Sequence, residues 1–137
     1  MSPEQLLGTV DFGEAVVVAD FEAGINTIVR LGGEAVDVML VVVEPTLRSI
    51  EVGQRAVALA RQRDIDRVIV VASRVTDDAD VARISAAFDR CELAVVPHDE
   101  AIVDAERLGV APLDAAPDAP AVTALLALGK SLAASVA

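Results

Sequence analysis

Small, polar or proline residues directly follow each short apolar run in this sequence. Asp20 follows residues 15–19 (AVVVA) and stands four positions before Gly24. A carboxylate after a buried strand can hold Mg²⁺ or its water, and a glycine amide can approach a terminal phosphate closely. The same spacing is typical of an acidic turn that caps the next helix, and the segment taken alone favours that turn.

The other three runs also end in residues that suit a binding edge. Glu44-Pro45-Thr46 follows residues 38–43 (VMLVVV), Ser73-Arg74-Val75 follows residues 68–72 (VIVVA), and Pro97-His98-Asp99-Glu100 follows residues 93–96 (LAVV). Each segment alone is an ordinary helix start or turn. Because the carboxyl ends of parallel strands meet at one edge of a sheet, the four loops together predict a nucleotide pocket.

The elements that must position these loops are predicted from hydrophobic patterning. The four runs are apolar at every position, which is typical of parallel strands covered by helices on both faces. Helical spacing covers residues 46–63, 77–90 and 97–108, with Asp99 as the cap of the last and Gly109 as its stop. A shorter helix over residues 25–31 ends at Gly32 and Gly33, because glycine accepts the left-handed cap conformation.

The chain of 137 residues is the length of one domain. We expect a lead over residues 1–14, a βαβ core over 15–110, a linker over 111–117 and a final helix over 118–135 capped by Asp118. Alternating strands and helices predict an open, mostly parallel β-sheet with helices on both faces, in three Rossmann-like layers joined by right-handed crossovers.

Composition excludes several classes of function. The formal charge of −11 and the absence of Trp and Tyr make nucleic acid and anionic membranes poor partners. The one cysteine, Cys91, and the one histidine, His98, cannot form an intrachain disulfide or a self-contained zinc site. The first residues have no basic segment and the longest apolar run has 6 residues, so we expect a cytoplasmic protein.

The order of these segments resembles the MinD/ParA-like P-loop ATPases, and within them the CooC-type accessory ATPases of carbon monoxide dehydrogenase nickel insertion. Their Walker B strand and switch region resemble VVVADFEAGINTIVR, and their strand-Asp-Pro-Ser segment is similar to VDVMLVVVEPTLRSIEVGQRAVALA. Their base-recognition strand is similar to VIVVASRV, and their adenine-bordering segment is similar to VVPHDEAIVDAERLGVAPLD. The resemblance implies ATP or ADP with Mg²⁺ as ligand, a Mg²⁺-linked role for Asp20 and a γ-phosphate amide at Gly24. It also implies that Glu44, Pro45, Ser73, Arg74, Pro97 and His98 border the nucleotide.

Several departures from the family pattern bear on activity. The sequence has no G-x-x-x-x-G-K-[ST] motif, since Ala124 stands where the first glycine before Gly129-Lys130-Ser131 would be. Ser73 replaces the base-reading Asn and Glu44 replaces the Asp of the second segment. No Cys-x-Cys pair is present, so the nickel role is not transferred to Cys91. The resemblance implies that the P-loop strand precedes this sequence in the chain and lies between its first two strands in the sheet.

Three functions are consistent with these features. The first is a degenerate or partial ATPase-family domain that acts as a non-hydrolysing partner or regulatory subunit, linked to metallocentre maturation or to a related ATPase. The second is the C-terminal part of a split or truncated Mg-ATPase completed by a P-loop-bearing chain. The third is a stand-alone flavodoxin-like protein that binds a small ligand. An open sheet edge favours association, so we expect a homo-oligomer or a P-loop-bearing partner.

Overall fold

The sheet is parallel and its strands alternate with helices. A computed structural model of the chain describes residues 9–21 and 36–136. In that part the elements are β1 (Val38–Val43), α1 (Leu47–Gln62), β2 (Arg67–Val75), α2 (Asp78–Ala87), β3 (Glu92–Pro97), α3 (Glu100–Leu108), α4 (Pro112–Ala115) and α5 (Pro120–Val136). The strands lie in the order β1-β2-β3, and both pairings are parallel.

Helices cover both faces of this sheet, which confirms the predicted fold class. On one face, α1 and α2 enclose a core that contains Val43, Val70 and Ile84, each 0% exposed. On the other face, the first turn of α5 packs on β2 and β3 through Ala121, which is also fully buried. Valine and isoleucine fill both faces because β-branched side chains pack well on a pleated surface.

Local signals set most helix ends, and the cap at Asp99 and the stop at Gly109 are as predicted. Thr46, Asp77 and Asp99 cap α1, α2 and α3 by accepting hydrogen bonds from first-turn amides, and Gly109 ends α3 with a left-handed φ of 66°. The predicted linker over residues 111–117 contains the single turn of α4.

The predicted cap at Asp118 is wrong. The last helix begins at Pro120, and its Ala121 amide donates to the Asp99 carboxylate at 3.0 Å. A partner from a distant part of the chain therefore takes the place that local sequence gave to Asp118.

The predicted strand over residues 15–19 is also wrong. In the structure these residues form no strand, and Val16, Val17 and Val18 are 62%, 43% and 86% exposed. A valine-rich run becomes a strand only when a neighbouring strand accepts its backbone hydrogen bonds, and within the described residues β1 pairs with β2 alone. The predicted helix over residues 25–31 lies outside the described residues.

No helix in the described part of the chain combines the length and the apolar character that a membrane crossing requires.

A charge pair joins neighbouring strands at the amino-terminal end of the sheet. Arg67 Nε and Nη2 donate to the two carboxylate oxygens of Glu92 at 2.8 and 2.9 Å. These hydrogen bonds lower the pKa of Glu92 from its ordinary 4.5.

This pair predicts a pH dependence of stability. A carboxyl whose pKa is lower in the folded state stabilises the fold above its ordinary pKa of 4.5, and this contribution is lost as the pH falls through the folded value. We expect the stability difference between the wild type and Glu92→Gln to be constant from neutral pH to about pH 5 and to shrink below it. Urea unfolding at a series of pH values tests this, with exposed Glu51→Gln as the control. An equal difference at low pH would contradict the assignment.

Candidate functional site

The carboxyl ends of β1, β2 and β3 meet at one edge of the sheet. The strand register pairs Val43 with Ala72, Ala72 with Val95, and Val75 with Pro97. The ends of the three strands and the loops after them are therefore neighbours, but Ser73, Arg74 and Pro97, predicted to follow the strands, are among the last residues of β2 and β3 themselves. We call this edge, formed by residues 44–49, 73–76 and 97–100, the carboxyl edge.

Glu44 and Arg74 are in direct contact across the carboxyl edge. Arg74 Nη1 lies 3.2 Å from Glu44 Oε1, with the arginine side chain 70% and the glutamate side chain 45% exposed. The Glu44 amide donates to Ser49 Oγ at 2.9 Å, which holds the loop against the first turn of α1. An exposed pair of this kind contributes little to stability, so both charges stay accessible to a ligand.

An irregularity of β2 presents Arg74 to this edge. The pairing of β2 with β3 shifts between Ala72 and Val75, and Arg74 has a φ of 56°. A left-handed conformation is unfavourable for a residue with a side chain, and such bulges redirect side chains at sheet edges. Ser73 is half-buried beside it, and its hydroxyl makes no hydrogen bond within the described part of the chain.

A second set of polar residues supports the loop after β1 and was missed by sequence reasoning. Arg83 Nη1 donates to the Pro45 carbonyl at 3.4 Å and to Asp80 Oδ1 at 3.1 Å. The Asp80 carboxylate accepts hydrogen bonds from the Thr76 amide and the Thr76 hydroxyl. These bonds lower the pKa of Asp80, and the amide has the larger effect. The acidic first turn of α2 was a visible signal for Asp80, but no spacing rule links Arg83 to Pro45 across 38 residues.

His98 extends the carboxyl edge along β3. Its amide donates to the Val75 carbonyl at 2.9 Å, and its Nε2 lies 2.9 Å from Glu100 Oε1. The side chain is 42% exposed, and Pro97 before it is half-buried. His98 is thus fixed to the end of β2 through its backbone, while its ring remains open to solvent on one side.

The predicted metal-phosphate residues are not part of this arrangement. Asp20 is exposed and makes no ion pair with the carboxyl edge, whereas Gly24 and Glu22 lie outside the described residues. Within residues 9–21 and 36–136, no group of three His, Cys, Asp or Glu side chains is suited to a metal ion. The one carboxylate at the end of β1, Glu44, is already paired with Arg74. The Mg²⁺ role of Asp20 therefore stays a prediction.

A parallel sheet with helices on both faces and polar loops gathered at the carboxyl ends of its strands is consistent with a P-loop NTPase-like α/β fold. The chain is 33% identical over 102 residues to the carbon monoxide dehydrogenase accessory protein CooC of Rhodospirillum rubrum. The matched segment covers 74% of this chain and 39% of CooC. The chain is also 33% identical over 99 residues to an uncharacterized ATP-binding protein of Methanocaldococcus jannaschii, covering 70% of this chain and 38% of that protein.

No family model matches the chain. The chain spans about two fifths of the length of the two curated relatives. The two similarities support a relationship to an ATPase family.

Proposed function

We propose that this chain is a partial MinD/CooC-like ATPase-family domain that lines one side of a nucleotide pocket and does not hydrolyse ATP alone. The observation that supports it best is the carboxyl edge, where the ends of three strands meet around the exposed Arg74–Glu44 pair and the Ser73 hydroxyl, which makes no hydrogen bond within the described part of the chain. The similarity to CooC and to an ATP-binding protein favours a nucleotide over other ligands for this edge.

The ligand in this proposal is ATP or ADP with Mg²⁺. Ser73 and Arg74 offer a hydroxyl and a guanidinium as hydrogen-bonding groups, and Pro97 and His98 border the same space from β3. Glu44 keeps Arg74 at the edge through their ion pair. Mg²⁺ would neutralise phosphate charge that a chain with 22 acidic residues otherwise repels.

Hydrolysis by this chain alone is not part of the proposal. Glycine amides and a lysine surround the phosphates in a P-loop, and they stabilise the charge of the transition state. Gly129, Lys130 and Ser131 lie inside α5, where the backbone amides belong to a continuous helix rather than to a phosphate-binding loop. We therefore assign the chain the role of a non-hydrolysing, cytoplasmic partner or regulatory subunit, linked to metallocentre maturation or a related ATPase.

A split Mg-ATPase is the second candidate. The observation that favours it is coverage, because the chain matches only 39% and 38% of its two relatives. In this case a P-loop-bearing chain supplies the phosphate cradle, and Asp20 and Gly24 act on Mg²⁺ and the γ-phosphate. The first candidate, the non-hydrolysing partner, would instead associate with further copies of this chain as a homo-oligomer.

Isothermal titration of the full chain with ATP and ADP, with and without Mg²⁺, tests the proposal after light scattering has fixed the oligomeric state. We expect binding in the micromolar range, weakened about tenfold or more in Arg74→Glu, because the substitution places two carboxylates together. Arg107→Glu is the matched control, since the Arg107 side chain is 74% exposed and pairs with Asp104 on α3.

Two outcomes would contradict the proposal. Absence of binding by the wild-type chain would exclude the nucleotide pocket. Phosphate release from ATP by the purified chain above a protein-free blank would exclude the non-hydrolysing role. Binding that requires Mg²⁺, together with activity that appears only when a P-loop-bearing chain is added, would favour the split ATPase.

A further inference from the structure

Asp99 joins two helices that begin at the carboxyl edge. Its Oδ1 accepts a hydrogen bond from the Ala101 amide in α3, and its Oδ2 accepts one from the Ala121 amide in α5, both at 3.0 Å. The first of these bonds is the ordinary cap of α3. The second spans 22 residues and links the loop after β3 to the start of the last helix.

The Ala121 amide depends on this bond. Amides in the first turn of a helix have no acceptor within the helix, and Pro120 before it has no N–H. Ala121 is 0% exposed and packs on the sheet with Ile69, Val71 and Val96. A buried amide without an acceptor is costly, so Asp99 and the first turn of α5 hold each other in place.

The residue before Asp99 belongs to the candidate pocket. The His98 amide donates to the Val75 carbonyl, so residues 98–99 connect the end of β2 to α5. A shift of the His98 loop relative to the sheet would therefore strain the hydrogen bond from Ala121 to Asp99, because Ala121 packs on the sheet. The opposite end of α5 is held separately, because Arg67 Nη1 donates to Ser135 Oγ at 2.7 Å.

We propose that Asp99 is a positioning residue that couples ligand binding at the carboxyl edge to the order of the first turn of α5. This coupling rests on the proposed nucleotide function. A ligand that fixes the His98 loop fixes the Asp99 carboxylate, and it thereby strengthens the bond to Ala121. The effect is reciprocal, so loosening the first turn of α5 weakens the binding of the ligand.

Hydrogen exchange at individual amides, together with titration of Mg²⁺ and ADP, tests the proposal with three variants of the full chain. Asp99→Ser keeps a cap for α3, because a serine hydroxyl accepts one amide, but it loses the bond to Ala121. Asp99→Ala loses both bonds. Asp77→Ala is the matched control, because Asp77 caps α2 through a single bond to the Asp80 amide.

Without nucleotide, we expect exchange at Ala121 to be about tenfold faster in both Asp99 variants and unchanged in Asp77→Ala. With saturating Mg²⁺ and ADP, we expect exchange at Ala121 to slow in the wild type and not in Asp99→Ser. The ADP affinity of Asp99→Ser should fall severalfold while the protein stays folded, which a purely structural cap would not produce.

The failures of the two proposals are distinguishable. Unchanged exchange at Ala121 in nucleotide-free Asp99→Ser would overturn the anchoring role itself. ADP binding by the wild type without any change at Ala121 would overturn the coupling and leave the nucleotide function intact. Absence of ADP binding would overturn the coupling together with the proposed function.

Discussion

Replacing Ile84 with alanine is expected to lower the free energy of unfolding by about 2–5 kcal/mol. Ile84 is 0% exposed and lies in the core between α1, α2 and the sheet, together with Val70 and Phe88. Removing three side-chain carbons there loses burial and leaves a cavity that a packed core cannot fill. Urea unfolding followed by circular dichroism measures the effect.

Val52→Ala is the control for this prediction, because Val52 is 42% exposed on α1. We expect a change of no more than about 0.5 kcal/mol for that variant. A similar loss in both variants would show that the core is not where the structure places it. The result matters for the site because Arg83, next to Ile84 on α2, contacts the Pro45 carbonyl.

Gly53→Ala is expected to destabilise the protein by about 1–2 kcal/mol, although alanine favours helices over glycine by about 1 kcal/mol. A Cβ at residue 53 would lie 2.7 Å from Val43 Cγ2 and 2.9 Å from Phe88 Cζ. Both neighbours are buried, at 0% and 6% exposure, so neither can move aside without disturbing the core. Thermal and urea unfolding measure the change.

Gly129→Ala is the matched control, for which we expect the opposite change in stability. A Cβ there meets nothing within 4 Å, and the residue lies in the interior of α5. The substitution should stabilise the protein by about 0.5–1 kcal/mol. If Gly53→Ala stabilised the protein as Gly129→Ala is expected to do, the close approach of α1 to β1 would be wrong.

The Gly53 contact also affects the candidate pocket. Val43 is the last residue of β1 and immediately precedes Glu44. An alanine that displaces Val43 therefore shifts the end of β1 and the Glu44–Arg74 pair with it. We expect Gly53→Ala to weaken ADP binding if the carboxyl edge is the nucleotide site, and Gly129→Ala to leave it unchanged.

The sequence predicted three strands of the sheet well. The run over residues 38–43 coincides with β1, and the runs over 68–72 and 93–96 lie inside β2 and β3. Continuous apolar runs are typical of burial on two sides, which holds for residues 69–72 of the central strand β2, whereas the edge strand β1 exposes Leu40 and Val42. The valine run over residues 15–19 has the same composition but stays outside the sheet, because pairing depends on a neighbour and not on the run itself.

The candidate site divides in the same way. Sequence alone placed Glu44, Ser73, Arg74 and His98 at the carboxyl edge, since a parallel sheet brings the ends of its strands to one side. It did not reveal the Arg83–Pro45 contact or the bond from Ala121 to Asp99, which join residues 38 and 22 positions apart. Such contacts depend on how helices pack against the sheet, and neighbouring residue types do not encode that packing.

The amino-acid sequence by itself determined the α/β class, the bounds of β1, the helix starts near Thr46 and Asp77 and the cap at Asp99, because burial pattern and capping are local properties of the chain. Only the tertiary structure decided that residues 15–19 remain unpaired and that Asp99, rather than Asp118, holds the start of α5. The physical reason is that backbone N–H and C=O groups need hydrogen-bond partners, and tertiary packing determines which distant residues supply them.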